Sequence, residues 1–229
     1  MVYLIVSSCS KGKNDSVPIP LGAKTLSPPD YLDDPYLVKR IVETRERIFQ
    51  DSRAQVGTRE TYAFDLYVRA GKAYSEIYKH HYQQLRRLVL QDNCLSWFFL
   101  SGGYGIVNAL EKTRKYQATF NKGIAYQNRI PYTTPLWKSI LTDACNAIFR
   151  KIDPEYIYVF GSCDYTQFIK ETERWKRKDR IKIFESYGLS GPSWISQKLC
   201  ELIESLLNGN ISEFNRRYHS NFISQQFLR

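Results

Sequence analysis

Tyr156-Ile157-Tyr158-Val159-Phe160-Gly161-Ser162-Cys163-Asp164 sets the fold class: five strand-forming residues run into glycine, serine, cysteine and an acid. A short β-branched and aromatic run bounded by turn residues reads as a buried strand. The same design recurs three times. Residues 2–6 lead into Ser7-Ser8-Cys9-Ser10-Lys11-Gly12-Lys13, Ser96-Trp97-Phe98-Phe99-Leu100 into Ser101-Gly102-Gly103-Tyr104-Gly105, and Ile181–Phe184 into Ser186-Tyr187-Gly188-Leu189-Ser190-Gly191.

Helical patterns separate these strands. Pro35 fits a first helical turn with Asp33 or Asp34 as cap, and Val38, Ile41, Val42, Arg45, Ile48 and Phe49 follow at helical spacing. A second helix is expected over roughly 67–90, with Ala70, Tyr74, Ile77, Tyr78, Leu85 and Leu88 on its apolar face. Others open at Thr134-Pro135, cover 193–207 up to Asn208-Gly209, and run from about 212 to 226. Residues 14–34 form a long proline-containing loop of the kind that carries binding groups. Alternating strands and helices predict an α/β fold: one domain over 1–229, a mostly parallel or mixed sheet flanked by helices, with 193–229 a C-terminal helical portion.

The chain has 229 residues, 43% of them hydrophobic and 24% charged, a composition that excludes global disorder. Its formal net charge of +10 and pI near 9.3 favour acidic partners, nucleic acid above all. No apolar run reaches spanning length, so a cytoplasmic protein without a membrane partner is expected. The five cysteines are Cys9, Cys94, Cys145, Cys163 and Cys200, an odd number at wide spacing, which points to reduced thiols. With no C-x-x-C or H-E-x-x-H motif and only His80, His81 and His219, no metal site is read, and nothing demands an organic cofactor.

Chemistry is expected at the strand ends, because open parallel sheets bind ligands outside the carboxyl ends of their strands. Ordinary strand-to-helix turns use the same residue types, but four such loops together point to a ligand rim. The first loop lacks the G-x-x-x-x-G-K-[ST] spacing of a nucleotide-triphosphate loop, although Lys11 and Lys13 can meet a phosphate or remain solvated. Cys9 has Lys11 nearby and Cys163 precedes an expected helix, and either setting would lower a thiol pKa. Cys145 and Cys200 read as packing residues. Lys112, Arg114, Lys115 and Lys122 around Tyr116 and Phe120 form the preferred nucleic-acid surface. Lys176, Arg177 and Lys178 form a second, which reads equally as a solvated connection.

Leu100-Ser101-Gly102-Gly103-Tyr104-Gly105-Ile106-Val107, followed by Lys115-Tyr116 and Gly123, resembles the YaaA family pattern of L-S-G-x-Y-G-hydrophobic, then tyrosine, then glycine. Leu4-Ile5-Val6-Ser7-Ser8-Cys9-Ser10-Lys11 is similar to that family's strand ending in S-P-A-K, with Cys9-Ser10 in place of Pro-Ala. Ala63-Phe64-Asp65-Leu66-Tyr67 and Gly161-Ser162-Cys163-Asp164-Tyr165 match two further segments more loosely, and the C-terminal third has no counterpart. The resemblance implies DNA binding in peroxide or oxidative stress, and, through relatives beside DNA-modification and defence genes, handling of modified or damaged bases.

Three functions follow. The first is a YaaA-like DNA-binding protein of oxidative-stress protection or DNA-base maintenance. The second is an enzyme, a hydrolase or lyase, acting on a 7-deazaguanine-type or damaged purine base in DNA. The third is a non-enzymatic interaction module. The enzyme reading expects one pocket with Lys11, Cys9, Asp65 and Asp164 as catalytic groups. Ser8, Tyr67, Ser101, Gly102, Tyr104, Gly105, Tyr116 and Ser162 are its expected ligand-binding residues.

Overall fold

The computed structural model describes residues 2–91, 95–188 and 190–225, so Cys94, Leu189 and the end of the expected final helix lie outside the described residues. The strands are β1 (Tyr3–Ser8), β2 (Thr61–Tyr62), β3 (Leu95–Ser101), β4 (Gly105–Asn108), β5 (Lys112–Thr113), β6 (Tyr156–Ser162), β7 (Ile181–Ser186) and β8 (Phe222–Ser224). Six of them form one sheet in the order β4-β3-β1-β6-β7-β8, while β2 and β5 pair separately. All neighbours in the large sheet are parallel except β3 and β4. The expected α/β class with a mixed sheet is what the chain adopts.

The helices are α1 (Pro28–Tyr31), α2 (Pro35–Gln50), α3 (Ala63–Val68), α4 (Ser75–His80), α5 (Tyr82–Gln91), α6 (Lys122–Asn128), α7 (Thr134–Ile152), α8 (Cys163–Lys170), α9 (Glu173–Arg177), α10 (Gly191–Leu207) and α11 (Ile211–Arg217). Asp34 caps α2 by accepting from the amides of Tyr36 and Leu37, and Pro35 occupies the first turn. α2 packs on α7 and α7 on α8, while α10 lies against β6 and β7 beside α4 and α11. All six residues of β7 and the central five of β6 are buried, the signature of parallel strands covered on both faces.

Two expected helices differ in the structure. The segment 67–90 is a chain of short pieces, α3, a 3₁₀ turn at Lys72–Tyr74, α4 and α5, because Gly71 and the Tyr74 and His81 backbones interrupt the ladder. The C-terminal helix stops at Arg217, and the chain then returns to the sheet as β8, so this portion is not wholly helical.

Topology fixes where a crevice opens. From β1 the chain builds β3 and β4 on one side, then crosses back to build β6, β7 and β8 on the other. The strand order therefore reverses between β1 and β6, where open α/β sheets form a crevice. Ser8, Ser162 and Ser186 are the last residues of β1, β6 and β7, so three neighbouring strands present hydroxyls there.

Candidate active site

The crevice is a cleft of about 980 Å³ at the carboxyl ends of β1, β6 and β7. The loops after these strands line it, together with segments around Ala70–Ala73 and Thr119–Ile124. Residues distant in sequence thus converge on one volume, which a plain set of turns would not produce.

Cys9 stands in this cleft, half-buried, one residue past β1. Its amide donates to the Leu100 carbonyl at 2.7 Å, and its Sγ lies 3.7 Å from the Tyr165 hydroxyl. Gly71 fixes the loop from below: a Cβ there would sit 2.2 Å from that of Ser10. Only glycine allows the two backbones to approach so closely.

Lys13 turns back beneath the loop. Its Nζ donates to the Ser10 carbonyl at 3.3 Å and lies 4.2 Å from the centre of the Tyr116 ring. Burial lowers the lysine's pKa, opposed by attraction to Cys9. Tyr67, Tyr116 and Ser101 close a buried hydroxyl cluster behind the thiol, with Tyr67 Oη 3.1 Å from Tyr116 Oη and 3.3 Å from Ser101 Oγ. Burial, then the neighbouring Cys9, holds Tyr67, Tyr116 and Tyr165 well above the usual tyrosine range, so all three are neutral donors.

On the opposite wall, Asn121 donates from Nδ2 to Asp164 Oδ2 at 2.6 Å while its own Oδ1 caps α6. Asp164 opens α8 just after Cys163. Under Tyr187, the buried Glu185 accepts from Lys170 Nζ at 2.6 Å and from the hydroxyls of Thr166 and Tyr187. Burial raises the Glu185 pKa, but the bonds from Lys170, Thr166 and Tyr187 outweigh it and keep the carboxylate ionised.

The expected residues divide accordingly. Cys9, Lys11, Asp164, Ser8 and Ser162 line the cleft, with Lys11 exposed. Asp65 does not: it is buried, accepting from the Tyr82 hydroxyl and from Arg86, and serves as a structural anion. The Ser101–Gly105 segment also departs from expectation, being the β3–β4 hairpin turn inside the core rather than a rim loop. There Gly102 accepts from Trp137 Nε1 at 3.1 Å, Gly105 adopts φ +72° against the Trp137 ring, and Tyr104 packs edge-on to Phe49 and Tyr116. Tyr67, Ser101 and Tyr116 back the cleft without lining it. The Cys163 thiol is pushed up, not down, by burial and then by Asp164 and Glu185.

Tyr165, Asn121 and Thr119 were not singled out as catalytic or ligand-binding in the sequence, and Lys13, expected to meet a phosphate or remain solvated, is instead turned beneath the loop. Only Asn121 carried a local signal, as a cap preceding a helix. Of the basic residues, Lys122 opens α6 beside cleft-lining Asn121 and Ile124. Lys115 pairs with Asp15 at 2.8 Å and Arg114 with Glu60 at 3.3 Å, while Lys112 is exposed. Lys176, Arg177 and Lys178 are exposed on or beside α9, Lys178 with its Nζ 3.4 Å from the centre of the Trp175 ring. No helix among the described residues is long and apolar enough to cross a membrane. Comparison of the chain with protein-family models gives no match, and comparison with curated protein sequences gives none either.

Proposed function

We propose that the chain is an enzyme acting on a nucleobase-type heterocycle, with Cys9 as nucleophile. The observation that carries this reading is the Cys9 thiol in a large, mostly apolar cleft with polar groups at the strand-order reversal, with Lys13 and the Tyr165 hydroxyl as neighbours. A thiolate adds to an electrophilic sp² or sp carbon, such as an amide or nitrile carbon on a 7-deazaguanine-type base. The thiol proton leaves to solvent, favoured by the nearby Lys13 charge. The sulfur electron pair forms the C–S bond, the π electrons move onto the oxygen or nitrogen, and the Tyr165 hydroxyl in the cleft donates a proton there. Asp164, oriented by Asn121, accepts hydrogen bonds from ring or exocyclic N–H groups. Lys11 and Lys122, both exposed, attract phosphate.

The test is mass spectrometry of nucleosides from DNA and RNA incubated with the protein. A changed base mass that Cys9→Ser eliminates is expected. An unchanged base, or a change that survives in Cys9→Ser, overturns the reading. The net charge of +10 favours a second reading, a YaaA-like DNA-binding protein of oxidative-stress protection. It expects salt-dependent DNA binding with no change of base mass.

A further inference from the structure

We propose that His81, Cys200 and Glu204 form a zinc-type site that clips the α4–α5 junction to α10. Their ligand atoms all lie within 4.8 Å of one another. His81 Nε2 is 3.2 Å from Glu204 Oε1, and Cys200 Sγ is 3.7 Å from the same oxygen. A tetrahedral ion with Zn–N and Zn–O near ~2.0 Å and Zn–S near ~2.3 Å sets N···O at ~3.3 Å and S···O at ~3.5 Å. The His81–Glu204 and Cys200–Glu204 distances lie within about 0.2 Å of those edges, and the His81–Cys200 edge is under 4.8 Å.

The donor set fits the same ion. Imidazole, thiolate and carboxylate together suit zinc, whereas calcium and magnesium take oxygen ligands. Cys200 and Glu204 are one helical turn apart on α10 and share a face. His81 is held between the helices with its side chain 17% exposed, and since its Nδ1 has no hydrogen-bond partner no other protein group draws the ring away from this corner. The ring is already committed to this corner through its other nitrogen. Alongside runs an open groove lined by Gln84, Arg87, Leu88 and Asn208, which leaves a fourth coordination position to water. This site shares no residue with the cleft lining. Binding replaces the thiol proton by the metal, so one proton leaves Cys200 as the Zn–S bond forms.

Cobalt(II) titrated into the chelator-treated full chain tests this. One equivalent is expected to give intense tetrahedral visible bands and a thiolate-to-cobalt charge-transfer band, both displaced by zinc. Cys200→Ser should remove the charge-transfer band, and Cys9→Ser should leave it. His81→Ala should weaken zinc binding by at least about tenfold. Glu204→Gln changes a half-exposed side chain, leaves the fold intact, and should also weaken binding. Absence of one-to-one binding, or affinity unchanged in both His81→Ala and Glu204→Gln, overturns the proposal.

Discussion

Lys13 sits where an ammonium is poorly solvated, and this has consequences for both stability and reactivity. Its folded pKa lies below the unfolded value because burial disfavours the charged form. Below both values the native state carries the full desolvation cost. Stability from this group therefore rises as pH climbs from the lowered folded value towards the unfolded ~10.4. Lys13→Met should stabilise the protein at neutral pH by about 1 kcal/mol in urea unfolding. The same change should depress any Cys9-dependent activity, and a variant that gains stability with full activity would remove Lys13 from the mechanism. Glu185 has the opposite sign. Its folded pKa is depressed, so its contribution is present above the unfolded carboxylate range and lost as pH falls through the folded value. Glu185→Gln leaves Lys170 without its partner and should cost about 2 kcal/mol at pH 7, shrinking in acid.

The β3–β4 hairpin shows how much an element constrains its residues. A Cβ on Gly105 would fall 2.5 Å from the Trp137 ring, and the φ of +72° is itself unfavourable for other residues. Gly105→Ala should destabilise by about 3 kcal/mol, measured by chemical unfolding. Beside it, Arg45 reaches from α2 to the carbonyls of Tyr104 at 2.9 Å and Ile106 at 2.7 Å while paired with buried Glu111. Arg45 belongs to the inward stripe of a helix whose cap and proline were readable, since such signals are local. The four large strands were readable for the same reason. What local pattern could not show was that Ser101–Gly105 turns back as an antiparallel hairpin, or that Asp65 meets Arg86 across the chain. Serine, glycine and tyrosine after a strand are written alike whether they face solvent or the core. Cys9, Ser8, Ser162 and Asp164 were found because position after a parallel strand decides access. Lys13 was read as phosphate-facing or solvated because its burial depends on Tyr116, over a hundred residues away.

Across the whole molecule, charge and topology act together. Positive charge should make any DNA affinity fall steeply with salt. Lys122→Glu with Lys112→Glu should weaken it and flatten the slope by roughly two phosphate contacts, read by fluorescence anisotropy across a salt series. An unchanged slope would remove these residues from the interface. The central position of β1 carries a different consequence. Leu4, Ile5 and Val6 are fully buried between β3 and β6, pairing in register with Ser96, Trp97 and Phe98 on one side and Ile157, Tyr158 and Val159 on the other. During ribosomal synthesis at ~5–20 residues per second, this strand emerges long before either neighbour exists. For seconds the nascent chain displays this apolar segment without either sheet neighbour, which makes β1 a stretch that a chaperone recognising exposed apolar chain would hold.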